Sequence, residues 1–173
     1  MAQDIIAKLT DKEIWEVQFL WFPMSHTPQI THFVQRMERL DPFTPFFSQL
    51  KNHPVVEIGP GEHPITEFFQ CKEYTAAEGY YPNDGLSVLR KMPDKSAVVF
   101  SFGVIDDDVL GASSSYTPPK QKQICTRYIN ELVDEIRRVA YPFAFIHGAD
   151  TQKYMGQPDV THYPKDGGVY LAK

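Results

Sequence analysis

A chain of 173 residues with 42% hydrophobic, 13% aromatic and 23% charged residues has the balance of a compact folded domain, which excludes a disordered or collagen-like polymer. Lys and Arg number 17 against 22 Asp and Glu, a net charge of −5, and no window gathers the basic residues into a phosphate-neutralising stripe, so duplex nucleic acid is not an expected partner. The opening MAQDIIAKLTDKEIWE is charged throughout, unlike a secretory signal, and the longest apolar stretches, 19–24 and 140–146, fall far short of the roughly 20 residues of a membrane-spanning helix.

The expectation is one cytosolic domain with no membrane partner. Cys71 and Cys125 lack CxxC spacing and read as two ordinary buried thiols, not as a disulfide scaffold or a zinc site.

Thr10 and Glu13 form a capping-box pattern just before the apolar run 14–22, which places a helix start there and a stop at Pro23. Thr27 and Pro28 open a second expected helix, whose Ile30, Phe33, Val34, Met37 and Leu40 share a face. A short segment opened by Thr44 and Pro45 carries Phe43, Phe46 and Phe47. Residues 1–52 therefore read as a helical, aromatic N-terminal cap on a core of residues 53–173. The aromatic residues of the cap, Trp15, Phe19, Trp21 and Phe22 included, are expected to join it to the sheet more than to line a pocket.

From Val55 the pattern becomes strand, glycine turn and a brief helix over Pro64, Ile65, Phe68 and Phe69. Residues 74–78 form a second strand, and 85–92 fit a short helix or an edge strand. Residues 97–105, AVVFSFGVI, are apolar on both alternating sets, as in a strand buried on both faces at the centre of a parallel sheet. Residues 111–120 read as a loop, and Ile124, Tyr128, Ile129, Leu132, Val133, Ile136 and Val139 recur at helical spacing. A strand at 142–146 follows, and THYP, KDGG and VYLA end the chain as an antiparallel hairpin. The alternation predicts a three-layer, Rossmann-like α/β fold with a mostly parallel sheet, whose ligands bind at the carboxyl ends of the strands.

The sharpest local pattern is Val55-Val56-Glu57-Ile58-Gly59-Pro60-Gly61-Glu62-His63. Glycines without Cβ atoms let the backbone turn sharply and approach a ligand closely, which suits a nucleotide-like cofactor. Pro64 stands where a dinucleotide fingerprint needs its third glycine, which disfavours nicotinamide and flavin dinucleotides. No P-loop run with Lys and Ser or Thr occurs.

Glu57 with the E-x-G-x-G turn resembles motif I of the class I S-adenosylmethionine-dependent methyltransferases, and the resemblance extends over about residues 53–173. It implies that Gly59, Pro60 and Gly61 pass the aminoacyl part of S-adenosylmethionine, with Glu57 near its ammonium. It also implies that Glu78, closing the second strand, holds the ribose hydroxyls. Gly79, Tyr80 and Phe102 read as further cofactor contacts, Tyr80 and Tyr81 following Glu78 closely enough to stack on ribose or adenine or else to pack under the loop, and Tyr81 and His147, the latter closing a central strand at the edge where substrate would lie, as substrate-facing. A carboxylate can accept both ribose hydroxyls at once. The chain departs from the family at His63, where the fuller motif has glycine, and in the interval from Glu78 to Val98, too short for the usual helix, strand and helix. The adenine contact is left unassigned, although Asp84 and Asp94 are available.

The implied activity is methyl transfer to a small-molecule acceptor, with no catalytic base identified; a homo-oligomer stays open. The alternative is a module that keeps the fold and has lost turnover. Each acidic or glycine position also has a plainer role, Glu57 as a brace for its turn and His147 as a hydrogen-bonded structural residue. Asp106, Asp107 and Asp108 resemble a metal cluster but fit capping of the following helix better, so no metal is expected.

Overall fold

The computed structural model describes residues 7–18, 40–60, 64–113, 117–161 and 167–173. Helix α1, Asp11–Val17, begins at the expected capping box: the Glu13 amide donates to Thr10 Oγ1 at 3.2 Å and the Thr10 amide to Glu13 Oε2 at 2.8 Å. The end of that helix at Pro23 and the second helix over 27–40 lie outside the described residues, apart from Gln18 and Leu40. A 3-10 turn at Asp41–Phe43 runs into α2, Thr44–Phe47, with proline in the first turn of each.

Strand β1, Pro54–Ile58, leads to a single 3-10 turn at Ile65–Glu67, then to β2, Glu73–Ala77, and α3, Gly85–Leu89. Asp84 decides between the two readings of that last segment: its carboxylate accepts the Ser87 amide at 3.1 Å, an N-cap that makes it a helix. Between β2 and β3, Ala97–Phe102, there is thus one short helix and no strand. Helix α4, Pro119–Val139, starts inside the expected 111–120 loop, because Pro119 occupies a first-turn position that needs no N–H. It is followed by β4, Ala140–His147, α5, Thr151–Met155, and β5, Gly167–Leu171.

The five strands lie in the order β2-β1-β3-β4-β5, parallel except for β5, which runs antiparallel to β4. The expected terminal hairpin takes a different form. Pairing of β5 with β4 is the extended antiparallel ladder, and the preceding segment contributes one isolated bridge, Val160 to Val169; residues 162–166 lie outside the described residues.

Strand alternation sorts the core into two faces. Val56, Ile58, Val99, Ala144 and Ile146 meet α3 and α4, whose Leu86, Leu89, Ile129 and Leu132 are wholly buried. Small and branched side chains on this face let the long helix lie close. Val55, Val98, Phe100, Phe143 and Phe145 face the segment 40–52, where Leu40, Phe43, Phe47 and Leu50 are 0–1% exposed. Here short turns cover the sheet, and phenyl rings fill the depth a helix would occupy: Phe145 lies 4.9 Å from Phe43, 5.0 Å from Phe47 and 5.0 Å from Phe100 between centroids. For these residues the cap is attached to the sheet by its aromatics; Trp15 instead is 51% exposed, and Phe19, Trp21 and Phe22 lie outside the described residues. Among the described residues no helix is long and apolar enough to cross a membrane.

Candidate functional site

The chain leaves β1 towards β2 on one side and then crosses back to β3 on the other, so strand order reverses between β1 and β3. At such a reversal the loops leaving the carboxyl ends diverge to opposite faces and open a crevice between them. Gly59 and Pro60 leave β1 there, Gly103 to Asp106 leave β3, and Glu78 to Tyr81 leave β2.

Gly59 has φ +64°, a left-handed conformation that favours glycine, and its amide donates to the Ala77 carbonyl at 2.9 Å. A Cβ on Gly59 would meet Val104 Cγ2 at 2.5 Å, so the bare backbone also admits the protein's own β3 loop. Pro60 is buried, and Gly61 lies outside the described residues.

Glu57 is fully buried, and its carboxylate is already engaged: Oε2 accepts the Ile65 amide at 2.8 Å and the Tyr74 hydroxyl at 2.7 Å. That geometry matches the brace, holding the far side of the glycine turn against β2. Ile58 and Ala77 are register partners, so Gly59 and Glu78 are the residues that follow directly at the carboxyl ends of β1 and β2. Glu78 is exposed and makes no hydrogen bond or ion pair among the described residues. Gly79 follows with φ +81° and open space where its Cβ would be, and Tyr80 is 52% exposed. The end of β2 thus presents an unengaged carboxylate beside an aromatic ring.

Tyr81, three residues after Glu78, is engaged elsewhere. Its amide donates to Gln18 Oε1 at 2.8 Å and its hydroxyl to Asp11 Oδ2 at 3.1 Å, which ties the β2 loop to α1. Phe102 and His147, register partners on β3 and β4, stack with ring centroids 4.6 Å apart and planes 6° from parallel. They lie on the same sheet face as Glu57, with His147 6% exposed. The two carboxylates the sequence leaves available for adenine, Asp84 and Asp94, both have protein partners, although Asp84 Oδ2 is buried without one. Asp94 pairs with Arg138 at 2.6 Å, and Asp84, 1% exposed, accepts the Tyr128 hydroxyl at 2.7 Å. Burial first, then the Asp84 charge, holds the Tyr128 phenol well above its ordinary pKa, so it stays a donor.

The acidic run does not cap a helix. Asp106 Oδ1 accepts the Asp108 and Val109 amides at 2.8 and 3.0 Å, closing a turn over its own successors. Asp107 is held by Lys153 and the Tyr154 hydroxyl on α5, and burial with that bond pushes the Tyr154 phenol up to about 12. The Asp107 amide donates to Asp150 Oδ2 at 2.8 Å. This clamp fixes the β3 loop, and with it Val104, against the end of β4. Nothing local in the sequence signals it, since its halves lie more than forty residues apart. Burial pushes the Cys125 thiol up to about 11 and raises that of Cys71, which leaves neither as a thiolate nucleophile at neutral pH.

No family model, no curated protein and no solved structure matches the chain. The arrangement at the carboxyl edge is therefore weighed on its own chemistry. Among the described residues it offers an exposed, unengaged carboxylate at Glu78, the left-handed Gly59 turn, and a flat Phe102–His147 pair on one face of the sheet.

Proposed function

We propose that this crevice binds S-adenosylmethionine and that the chain is a small methyltransferase acting on a small-molecule acceptor. The observation that carries the reading is Glu78: of the sequence-expected cofactor contacts, it is a carboxylate left unengaged, at the strand end next to the left-handed Gly59 turn and beside the strand reversal. A vicinal diol matches such a carboxylate, because two O–H groups donate to its two oxygens. The mostly parallel sheet with a reversed last strand is compatible with a Rossmann-like fold, on which this reading builds. The single helix between β2 and β3 agrees with a shortened member of the methyltransferase family.

Methyl transfer from a sulfonium is an in-line displacement, for which positioning and exclusion of water supply much of the acceleration. A base is needed only when the acceptor must lose a proton first. Glu57 in this reading acts on the turn, not on the cofactor. It fixes where Gly59 and Pro60 lie.

A second reading, binding without turnover, is favoured by one observation: Val104 occupies the space over Gly59 that a cofactor's aminoacyl end would use. Calorimetric titration of the intact chain with S-adenosylmethionine, S-adenosylhomocysteine and a nicotinamide dinucleotide separates the possibilities. Heat with the first two and none with the third is the expected result, and silence with all three contradicts the proposal. Binding with no methylated product from any acceptor class favours the second reading.

A further inference from the structure

Among the described residues the sheet has an open edge at β2. Among the described strands β1 is the sole neighbour of β2, and Glu73, Thr75 and Ala76 are exposed. The Ala77 carbonyl points inward to accept the Gly59 amide. Backbone groups of successive strand residues alternate in direction, so those of Ala76 point out of the sheet. Edge strands exposed in this way are commonly blunted by proline, a bulge or an inward charge. Glu73–Ala77 has no proline, and its pairing with β1 runs without a bulge. The flanks are charged: Lys72 precedes the strand and Glu78 follows it, both exposed and neither in an ion pair among the described residues.

We propose that a second copy of this chain docks on β2, antiparallel, across a two-fold axis at Thr75. In that register Thr75 faces its own symmetry mate, and Lys72 of each copy faces Glu78 of the other, so an opposite-charge pair closes each end of the shared ladder. Residues 72 and 78 flank the strand, one at each end, Lys72 with its amide donated to the Leu50 carbonyl; their equal parity in sequence puts each pair on one face where the ladder extends to them. Moving the axis by one residue sets Lys72 opposite Tyr80 or Ala76 and loses both pairs, so the charges select the register. The two sheets then form one continuous sheet, with both open β2 edges consumed. This inference rests on β2 and its flanking charges and not on the cofactor reading, with which it shares the Glu78 carboxylate.

Sedimentation velocity of the intact chain over a concentration series tests it. The expected result is a species of twice the 19.9 kDa chain mass that grows with concentration and shrinks with added salt. Lys72→Glu, which sets like charges against each other twice, is expected to shift the sample to monomer, and the swap Lys72→Glu with Glu78→Lys to restore the dimer. Ala76→Pro, which removes an outward N–H and leaves the β1 ladder intact, is expected to give monomer as well. A wild-type chain that stays monomeric throughout, a dimer indifferent to Lys72→Glu, or a swap no more dimeric than the single variant each overturns the proposal.

Discussion

Phe145→Ala is expected to lower the unfolding free energy by about 3–5 kcal/mol, the cost of removing a wholly buried phenyl ring from a core that relaxes only in part. Phe145 is 0% exposed and sits at the middle of the thin layer, edge-on to Phe43 and Phe47, stacked on Phe100 at 19° and 6.4 Å from His147. Two of those rings belong to the segment 40–52, so the cavity opens where that segment joins the sheet. Short turns cannot slide in to fill such a gap as a long helix partly can. Urea unfolding followed by circular dichroism measures the loss. A drop of under about 1 kcal/mol would mean that the aromatic layer repacks freely and does not attach the cap.

Glu78→Ala is expected to weaken S-adenosylmethionine binding about 100-fold. Two hydrogen bonds to a charged acceptor contribute about 1.5 kcal/mol each at the solvated end of their range, and about 1.4 kcal/mol is tenfold in affinity. Because Glu78 is exposed and engages nothing else among the described residues of its own chain, the variant should keep the wild-type thermal midpoint at concentrations where the chain is monomeric. Glu78→Gln should fall between the two, since an amide oxygen accepts one hydroxyl and loses the charge. Equal affinity in wild type and Glu78→Ala would remove the carboxylate from the site.

Those two residues also mark how far the sequence could be read. Phe43 and Phe47 were legible as glue because an aromatic run in a short helical segment has few other fates, and β3 because its apolar residues fill both alternating sets. The capping box at Thr10 and Glu13 and the long α4 were legible for the same local reason: their signals lie within a few turns of the chain. The strand beside Glu78 was legible over 74–78, one residue beyond its observed end at Ala77, and the role of Glu78 came only from the family resemblance. What was not legible depends on contacts across the fold. Glu57 is committed by Tyr74, seventeen positions on, and Tyr81 is taken by Asp11 of α1 and by Gln18, which caps that helix. The Asp107 clamp needs α5, and Val104 over Gly59 needs the β3 loop. Periodicity tells which face a residue occupies, and it carries no information about which distant side chain arrives there first.

The start of α4 at Pro119 and the single bridge at Val160 have the same origin. A proline-bearing polar stretch reads as loop until the helix behind it is long enough to extend through Pro119. A glycine-rich terminal segment reads as a hairpin with its neighbour until β4 offers a longer ladder.

The crevice is tested most directly by crystals of the chain grown with S-adenosylhomocysteine. The expected difference density sets both ribose hydroxyls within hydrogen-bond distance of the Glu78 carboxylate, with the aminoacyl end over Gly59 and the Val104 side chain rotated aside. Density for the ligand anywhere else, or Val104 unmoved with the crevice empty at saturating ligand, contradicts it.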